Sequence, residues 1–141
     1  MNMDMNNKYK LYFDGASRGN PGLGGCGISI QFENKEIAID NKYLGTCTNN
    51  FAEYSALELG LKKAIDLNIK NLIVFGDSLL VINQVNKLWK CNNINLKKIL
   101  NNIDHLKLNF IDIKFVHIKR EKNLRADNLA NKAINNFLND F

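Results

Sequence analysis

Four acidic side chains lie at points of the sequence where carboxylates can act together. Asp14 ends an apolar alternating segment, and Asp77 ends the short apolar run NLIVFGD. Glu53 and Asp127 lie in the first turns of two segments with helical spacing. In an α/β sheet, ligand sites form beyond the carboxyl ends of strands, where helix N-termini also point. The four acids are therefore candidates for a single site, and clustered carboxylates repel one another unless a cation lies among them.

The kind of cation follows from the ligand chemistry. Carboxylate oxygens without histidine or cysteine partners favour hard ions, so we predict Mg²⁺, with Mn²⁺ as the alternative. Four acids around two such ions suit in-line phosphoryl chemistry. The segment GNPGLGG is not a nucleotide-binding loop, because no GK[ST] sequence follows it. We therefore expect no small-molecule cofactor.

Each acid also has a purely structural interpretation. Asn50 and Glu53 fit a capping box, Asp77 fits the cap of the helix SLLVINQV, and Asp127 fits an acid favoured by the helix dipole. Asp14 precedes a glycine-rich loop, where it either belongs to a turn or is kept clear for the approach of a large ligand. Residue types and spacing alone leave these alternatives open.

The segments around these acids alternate between strand and helix patterns. Asn20-Pro21-Gly22 and Asn34-Lys35 predict turns. Three sequential strands followed by βα units predict an α/β fold whose mixed sheet has helices on both faces. Hydrophobic periodicity predicts strands over 8–14, 25–34, 35–45, 71–75 and 110–118, and helices over 49–69, 78–87, 96–108 and 123–138.

Length and composition narrow the class of protein. The 141 residues predict a single domain over 8–141, preceded by a flexible tail over 1–7. The net charge of +5 favours a polyanionic partner. Three widely separated cysteines favour neither a disulfide framework nor a zinc site, which suits a cytoplasmic location. No apolar run approaches the ~18 residues that cross a membrane, so we expect no membrane association, and we expect a monomer.

Four segments resemble the motifs of ribonuclease H type 1. They are YFDGASRGNPGLGGCG, TNNFAEYSALELGL, FGDSLLVINQV and NLRADNLAN, and they follow the family's order and spacing over about Tyr9 to Ala133. The resemblance implies a ribonuclease H-like mixed five-stranded sheet, with three antiparallel and then two parallel strands. It also implies that the metal-binding catalytic tetrad is Asp14, Glu53, Asp77 and Asp127.

The reaction implied by the resemblance is endonucleolytic hydrolysis of the RNA strand of RNA/DNA hybrids with two metal ions. The products would carry 5′-phosphate and 3′-hydroxyl ends. The rival interpretations are another nuclease or polynucleotidyl transferase of the same superfamily, and a catalytically silent hybrid-binding module. The segment KLWKCNNIN is too short for the basic handle of many bacterial members, so the chain looks closer to the compact archaeal and plant-like branch.

The resemblance further implies which residues contact the hybrid, although turn and cap chemistry explains Asn50 equally well. His117 lies ten residues before Asp127, where the family places a histidine that assists catalysis, but a lone histidine on a strand is also consistent with a structural role. The basic run KREKNLR before Asp127 is either a solvated loop or a guide for phosphates. The implied substrate-binding residues are Gly15, Ser17, Asn20, Thr48, Asn49, Asn50 and Asn93.

Overall fold

The computed structural model describes residues 8–140, so the predicted tail over 1–7 lies outside the described residues. Nine main elements follow the predicted order β-β-β-α-β-α-α-β-α. The strands are β1 (Tyr9–Gly19), β2 (Gly22–Phe32), β3 (Lys35–Cys47), β4 (Asn71–Gly76) and β5 (Asp112–His117). The helices are α1 (Asn49–Asp66), α2 (Leu79–Val85), α3 (Ile94–Lys107) and α4 (Leu124–Asn139), with a 3-10 turn at Arg120–Lys122.

The five strands form one mixed sheet in the order β3-β2-β1-β4-β5. β1, β2 and β3 pair antiparallel, whereas β4 pairs parallel with both β1 and β5. Short apolar runs such as β4 are typical of strands covered on both faces, and all but one residue of β4 are buried. The predicted arrangement of three antiparallel and then two parallel strands is confirmed.

The glycine-rich segment after Asp14 is not the loop that its composition predicts. β1 continues to Gly19 and β2 begins at Gly22, so the two strands pair throughout the segment and only Asn20 and Pro21 lie between them. Glycine weakens an isolated strand, but here it permits backbones to approach where side chains would clash. The second turn is also shifted by one residue, because Glu33 and Asn34 adopt the positive φ angles of the turn.

Helices cover both faces of the sheet because small residues let them approach closely. A Cβ added at Gly15 would lie 2.2 Å from the carbonyl carbon of Ala52 in α1. A Cβ added at Gly27 would lie 2.6 Å from the carbonyl oxygen of Ala126 in α4. Gly27 pairs with Asp14, the neighbour of Gly15, so these two contacts fall on opposite faces.

The core between the sheet and α1 holds the largest fully buried side chains, including Phe13, Leu11, Tyr54 and Leu57. α3 packs outside α1, and residues 86–93 join α2 to α3 without an inserted helix, as the short KLWKCNNIN segment predicts. Within residues 8–140, none of the helices combines the length and the apolar character needed to cross a membrane.

Candidate active site

The pairing register between β1 and β4 brings two of the four acids together. The last parallel pair is Phe13 with Gly76, so Asp14 and Asp77 follow directly at the same edge of the pairing. The prediction that Asp14 ends its strand is therefore wrong for β1 as a whole, since the antiparallel pairing with β2 continues to Gly19. The prediction holds for the parallel pairing of β1 with β4, and this pairing positions the Asp14 side chain.

Glu53 reaches the same place from α1. β1 and α1 approach so closely at Gly15 that a Cβ added there would lie 2.3 Å from the backbone nitrogen of Glu53. The Gly15 N–H also donates a hydrogen bond to the Glu53 carboxylate. The capping-box interpretation of Asn50 and Glu53 is wrong. Thr48 caps the helix, with its hydroxyl accepting from the Phe51 N–H at 3.2 Å. Glu53 therefore lies in the second turn rather than the first, where it is only 5% exposed.

Asp77 does not cap α2. Ser78 is the cap, and its hydroxyl accepts from the Val81 N–H at 3.3 Å, which leaves the Asp77 carboxylate available for other contacts. One carboxylate oxygen each from Asp14, Glu53 and Asp77 lies within 4.8 Å of the other two. Three acids from three separate elements thus form one cluster.

Asp127 joins this cluster through Asp14. It lies in the first turn of α4, as predicted, and its side chain hydrogen bonds with Asp14. The Nδ2 atom of Asn131, one turn further along, donates to Asp127 Oδ1 at 3.3 Å. The structure therefore brings all four predicted acids together, with Asp14 as the member that contacts the others.

The electrostatics of the cluster suit a divalent cation. Burial raises the pKa of Asp14 to about 7, a hydrogen bond with Glu53 opposes the shift, and the charges of Asp77 and Asp127 add to it. Burial and then the charge of Asp14 raise the pKa of Glu53 well above its ordinary value. Glu53 Oε2 is buried without a hydrogen-bond partner among the described residues. A bound Mg²⁺ would satisfy that oxygen and remove the repulsion, so the donor set fits the predicted ion.

The cluster opens into a cavity of about 260 Å³, which is lined by three of the four acids and by the positively charged side chain of Arg120. Arg120 lies on this wall, although the sequence indicates it only as one member of a basic run. Its position three residues after the end of β5 is the signal that could have singled it out. The lining residues are Asp14, Gly15, Asn49, Glu53, Asp77, Ser78 and Arg120.

His117 lies beside this cavity rather than in its lining. It is the last residue of β5, is paired in register with Gly76, and is exposed. Its Nε2 atom lies 3.2 Å from the backbone carbonyl oxygen of Asp77. The imidazole is thus held at the rim of the site by a backbone contact to one of the four acid-bearing residues.

The predicted substrate contacts near the β1–β2 turn are connected to α1. Asn20 Oδ1 accepts from the Asn49 N–H at 3.1 Å, and the Ser17 hydroxyl donates to the Cys47 carbonyl at 2.8 Å. These bonds fix the hairpin turn against the end of β3 and the start of α1. Asn50 is exposed in the first turn of that helix.

Thr48 and Asn93 both line a second cavity of about 420 Å³. Each is also a helix cap: Asn93 Oδ1 accepts from the N–H groups of Asn95 and Leu96 at the start of α3. Their positions bring two helix N-termini to one concave surface next to Pro21. Partial positive charge at helix N-termini favours anions such as phosphate.

Comparison with known proteins gives consistent results over most of the chain. Residues 12–133 match the family described as Reverse transcriptase-like. The chain is 36% identical to Ribonuclease HI of Halobacterium salinarum, over 93% of this chain and 66% of that protein. It is 34% identical to Ribonuclease H of Wigglesworthia glossinidia brevipalpis, over 94% of this chain and 91% of that protein. The chain spans about two thirds of the length of the halobacterial relative and 35% of the mycobacterial relatives.

Two solved structures extend the similarity to the fold. The crystal structure of RNase H1 from Halobacterium salinarum NRC-1 superimposes with a TM-score of 0.89 at 36% identity, covering 92% of this chain and 98% of that one. LC11-RNase H1, solved in complex with an RNA/DNA hybrid, superimposes with a TM-score of 0.87 at 36% identity, covering 93% and 99%. The likeness thus includes nearly all of both solved chains.

Proposed function

Since the chain belongs to the ribonuclease H family, we propose that it hydrolyses the RNA strand of RNA/DNA hybrids. The observation that carries the proposal is the convergence of four carboxylates from β1, α1, the end of β4 and α4. A module that only bound the hybrid would gain nothing from clustered negative charge facing phosphates. LC11-RNase H1, which was solved with an RNA/DNA hybrid, supports the choice of substrate.

The acids would hold two Mg²⁺ ions, with Mn²⁺ as the alternative. Ions held there would polarise the phosphate and lower the pKa of a bound water. Attack of that water oxygen on phosphorus, with the bond to the 3′ oxygen breaking, would leave 5′-phosphate and 3′-hydroxyl ends on the RNA. The protein supplies the geometry: Asp14 and Asp77 by strand register, Glu53 by the close approach at Gly15, and Asp127 by the start of α4. Each carboxylate is thus attached to backbone that is held in place by strand pairing or helix packing. In-line displacement requires this precision of placement.

The surface around the acids suits an A-like duplex. Such a duplex presents 2′-hydroxyls in a wide minor groove, so recognition rests on shape rather than base sequence. The β1–β2 hairpin and the start of α1 lie beside the acids. They carry the residues predicted to contact the minor groove, which are Gly15, Ser17, Asn20, Asn49 and Asn50. The cavity at Thr48 and Asn93 would take a phosphate of the DNA strand. Arg120 would draw phosphates toward a site that is otherwise negative.

His117 would assist proton transfer or product release from its place at the rim. The contact with the Asp77 carbonyl keeps the imidazole near the acids while leaving it exposed to solvent. A cytoplasmic location and a monomeric state stay predictions from the sequence.

A gel assay tests the proposed function directly. An RNA/DNA hybrid labelled at the 5′ end of the RNA is incubated with the protein and Mg²⁺, beside all-RNA and all-DNA duplexes of the same sequence. We expect internal cleavage of the RNA strand of the hybrid, loss of activity in EDTA, and weak activity in Ca²⁺, which is less strict in geometry. The Asp14→Asn protein, purified in parallel, controls for contaminating nucleases.

The same gel separates the rival functions. Cleavage of the all-DNA duplex at a comparable rate would favour another nuclease of the superfamily. Retardation of the hybrid without cleavage in Mg²⁺ or Mn²⁺ would favour a silent binding module. A 5′-phosphate prevents further phosphorylation of that end. New 5′ ends that can be phosphorylated only after phosphatase treatment would therefore support the expected 5′-phosphates.

A further inference from the structure

Asn123 is a buried polar residue whose side chain does not do what its position in the sequence predicts. It occupies the cap position of α4, where asparagine normally accepts a hydrogen bond from the first turn. Its side chain makes no such bond, and the residue is only 1% exposed. The amide is turned inward, toward the acid cluster.

The side-chain amide of Asn123 joins two of the segments that carry the acids, and its backbone contacts a third. Its Nδ2 atom donates to the carbonyl oxygen of Phe13 at 2.9 Å, immediately before Asp14, and to Asp77 Oδ2 at 3.2 Å. One amide nitrogen has two hydrogens, so it can make both bonds at once. The backbone carbonyl of Asn123 accepts from the Asp127 N–H at 3.2 Å, which is the first helical bond of α4 to an acid-bearing residue.

The arrangement has a cost that helix capping would avoid. Asn123 Oδ1 is buried without a hydrogen-bond partner among the described residues, and an unpaired buried amide oxygen is unfavourable. A side chain with a serine or aspartate oxygen at this position would cap the helix but could not donate to both acceptors. The feature that the amide provides is a neutral group that donates to the Asp77 carboxylate and to the Phe13 carbonyl at once.

From these contacts we infer that Asn123 is a positioning residue that holds the Asp77 carboxylate in the geometry needed to bind metal. A neutral donor fixes the carboxylate without neutralising it, so Asp77 keeps its negative charge and its remaining lone pairs. Partners of this kind orient the groups that bind a metal, and their loss typically weakens metal affinity by about 10- to 100-fold. The inference rests on the proposed metal-dependent function and assigns one more residue to its site.

The test measures Mg²⁺ binding without substrate. The melting temperature is recorded against Mg²⁺ concentration for the wild-type and Asn123→Ala proteins, and each titration is fitted to the linkage relation. The midpoint compared is the Mg²⁺ concentration equal to the fitted Kd. We expect the midpoint to rise by about 10- to 100-fold in Asn123→Ala. In hybrid cleavage, kcat at fixed Mg²⁺ should fall while KM for the hybrid stays nearly unchanged, and added Mg²⁺ should restore most of the loss.

Asn86→Ala is the matched control. The Nδ2 atom of Asn86 also donates to a backbone carbonyl, that of Phe115, at 3.1 Å, but Asn86 lies at the end of α2 and its bond touches no acid. Its Mg²⁺ midpoint should equal that of the wild type. If Asn123→Ala does not fold, Asn123→Ser replaces it, because serine suits a helix cap yet is too short to make both bonds.

The outcomes separate the inference from the function on which it rests. A lower melting temperature in EDTA with an unchanged Mg²⁺ midpoint would show that Asn123 only fastens α4 to β1, and would overturn the inference alone. A wild-type protein that gains no stability from Mg²⁺ would overturn both. A raised midpoint for Asn123→Ala, beside an unchanged one for Asn86→Ala, would support both.

Discussion

Replacing Asp14 by asparagine should stabilise the metal-free protein and abolish most of its response to Mg²⁺. The substitution keeps the shape of the side chain and removes the charge at the centre of the cluster, because Asp14 contacts Glu53 and Asp127 and feels the charge of Asp77. A residue that merely formed a turn would give the opposite result, since asparagine would lose hydrogen bonds that a carboxylate accepts.

The magnitude follows from the raised pKa of Asp14. Burial is the largest cause of the rise from 3.8 to about 7. One pKa unit corresponds to about 1.4 kcal/mol, so ionised Asp14 destabilises the fold by up to about 4 kcal/mol at pH 8. Asparagine is itself polar and buried, so only part of this is recovered. We expect ~1–2 kcal/mol, or roughly 3–7 °C in Tm for a domain of this size.

The pH dependence has a definite sign. Because the pKa of Asp14 is higher in the folded than in the unfolded state, its contribution to stability is fully present below pH 3.8 and is lost as pH rises through about 7. The burial-raised pKa of Glu53 acts in the same direction. The wild-type Tm in EDTA should therefore fall between about pH 4 and pH 8 by more than the Tm of Asp14→Asn does.

Thermal melts in EDTA and in excess Mg²⁺, at pH 5 and pH 8, measure all of these effects. An ion at about 100 times its Kd stabilises the wild type by about 2.7 kcal/mol, and Asp14→Asn should lose most of this gain. Asp40→Asn, on β3 outside the cluster, is the control that should keep it. A mutant that melts lower than the wild type in EDTA and still gains fully from Mg²⁺ would refute the assignment of Asp14.

Three further predictions concern the rim of the site and the number of phosphate contacts. His117→Ala should lower kcat by roughly 10- to 100-fold with little change in hybrid affinity, because its imidazole lies at the rim against the Asp77 carbonyl; an unaltered kcat with a lowered Tm would indicate a structural histidine. Without a basic handle, the slope of log K for hybrid binding against log[KCl], measured in Ca²⁺, should be on the order of −3 to −4. Arg120→Ala should reduce that slope by about one, whereas Arg125→Ala should not, because Arg125 pairs with Glu36 at 2.9 Å. A wild-type slope near about −8 would contradict the expectation of few phosphate contacts.

The order and type of the elements could be predicted because the apolar pattern changes cleanly between a period of two and a helical period. β4 is a short apolar run, and α4 repeats its buried residues at Ala126, Leu129, Ala130 and Ala133. The gathering of the acids could be predicted from the rule that parallel strands end at one edge of a sheet. The elements depend on local sequence, and the edge rule holds for any parallel sheet built from them, so both could be used without the structure.

The details of the site depend on contacts between distant segments and could not be predicted in the same way. Thr48 and Asn50 are both good helix caps, and the choice of Thr48 depends on where the chain leaves β3. The inward side chain of Asn123 depends on acceptors 110 and 46 residues away in the chain. The extended glycine segment likewise depends on close contacts with α1 and α4. Amino-acid composition and local spacing do not indicate these contacts between distant segments.

The close approaches that build the site also explain why its carboxylates repel one another in the absence of a cation. Gly15 allows the backbone of α1 to lie against β1, and this same approach buries Glu53 beside Asp14. A larger residue would keep the carboxylates apart and in water, where they would repel less but could not share an ion. The packing of Phe13, next to Asp14 and fully buried, offsets the repulsion within the same strand. The acids would repel one another less if they were farther apart, but they could then not form a metal site. The fold therefore uses apolar burial on β1 to offset this repulsion and hold the acids together.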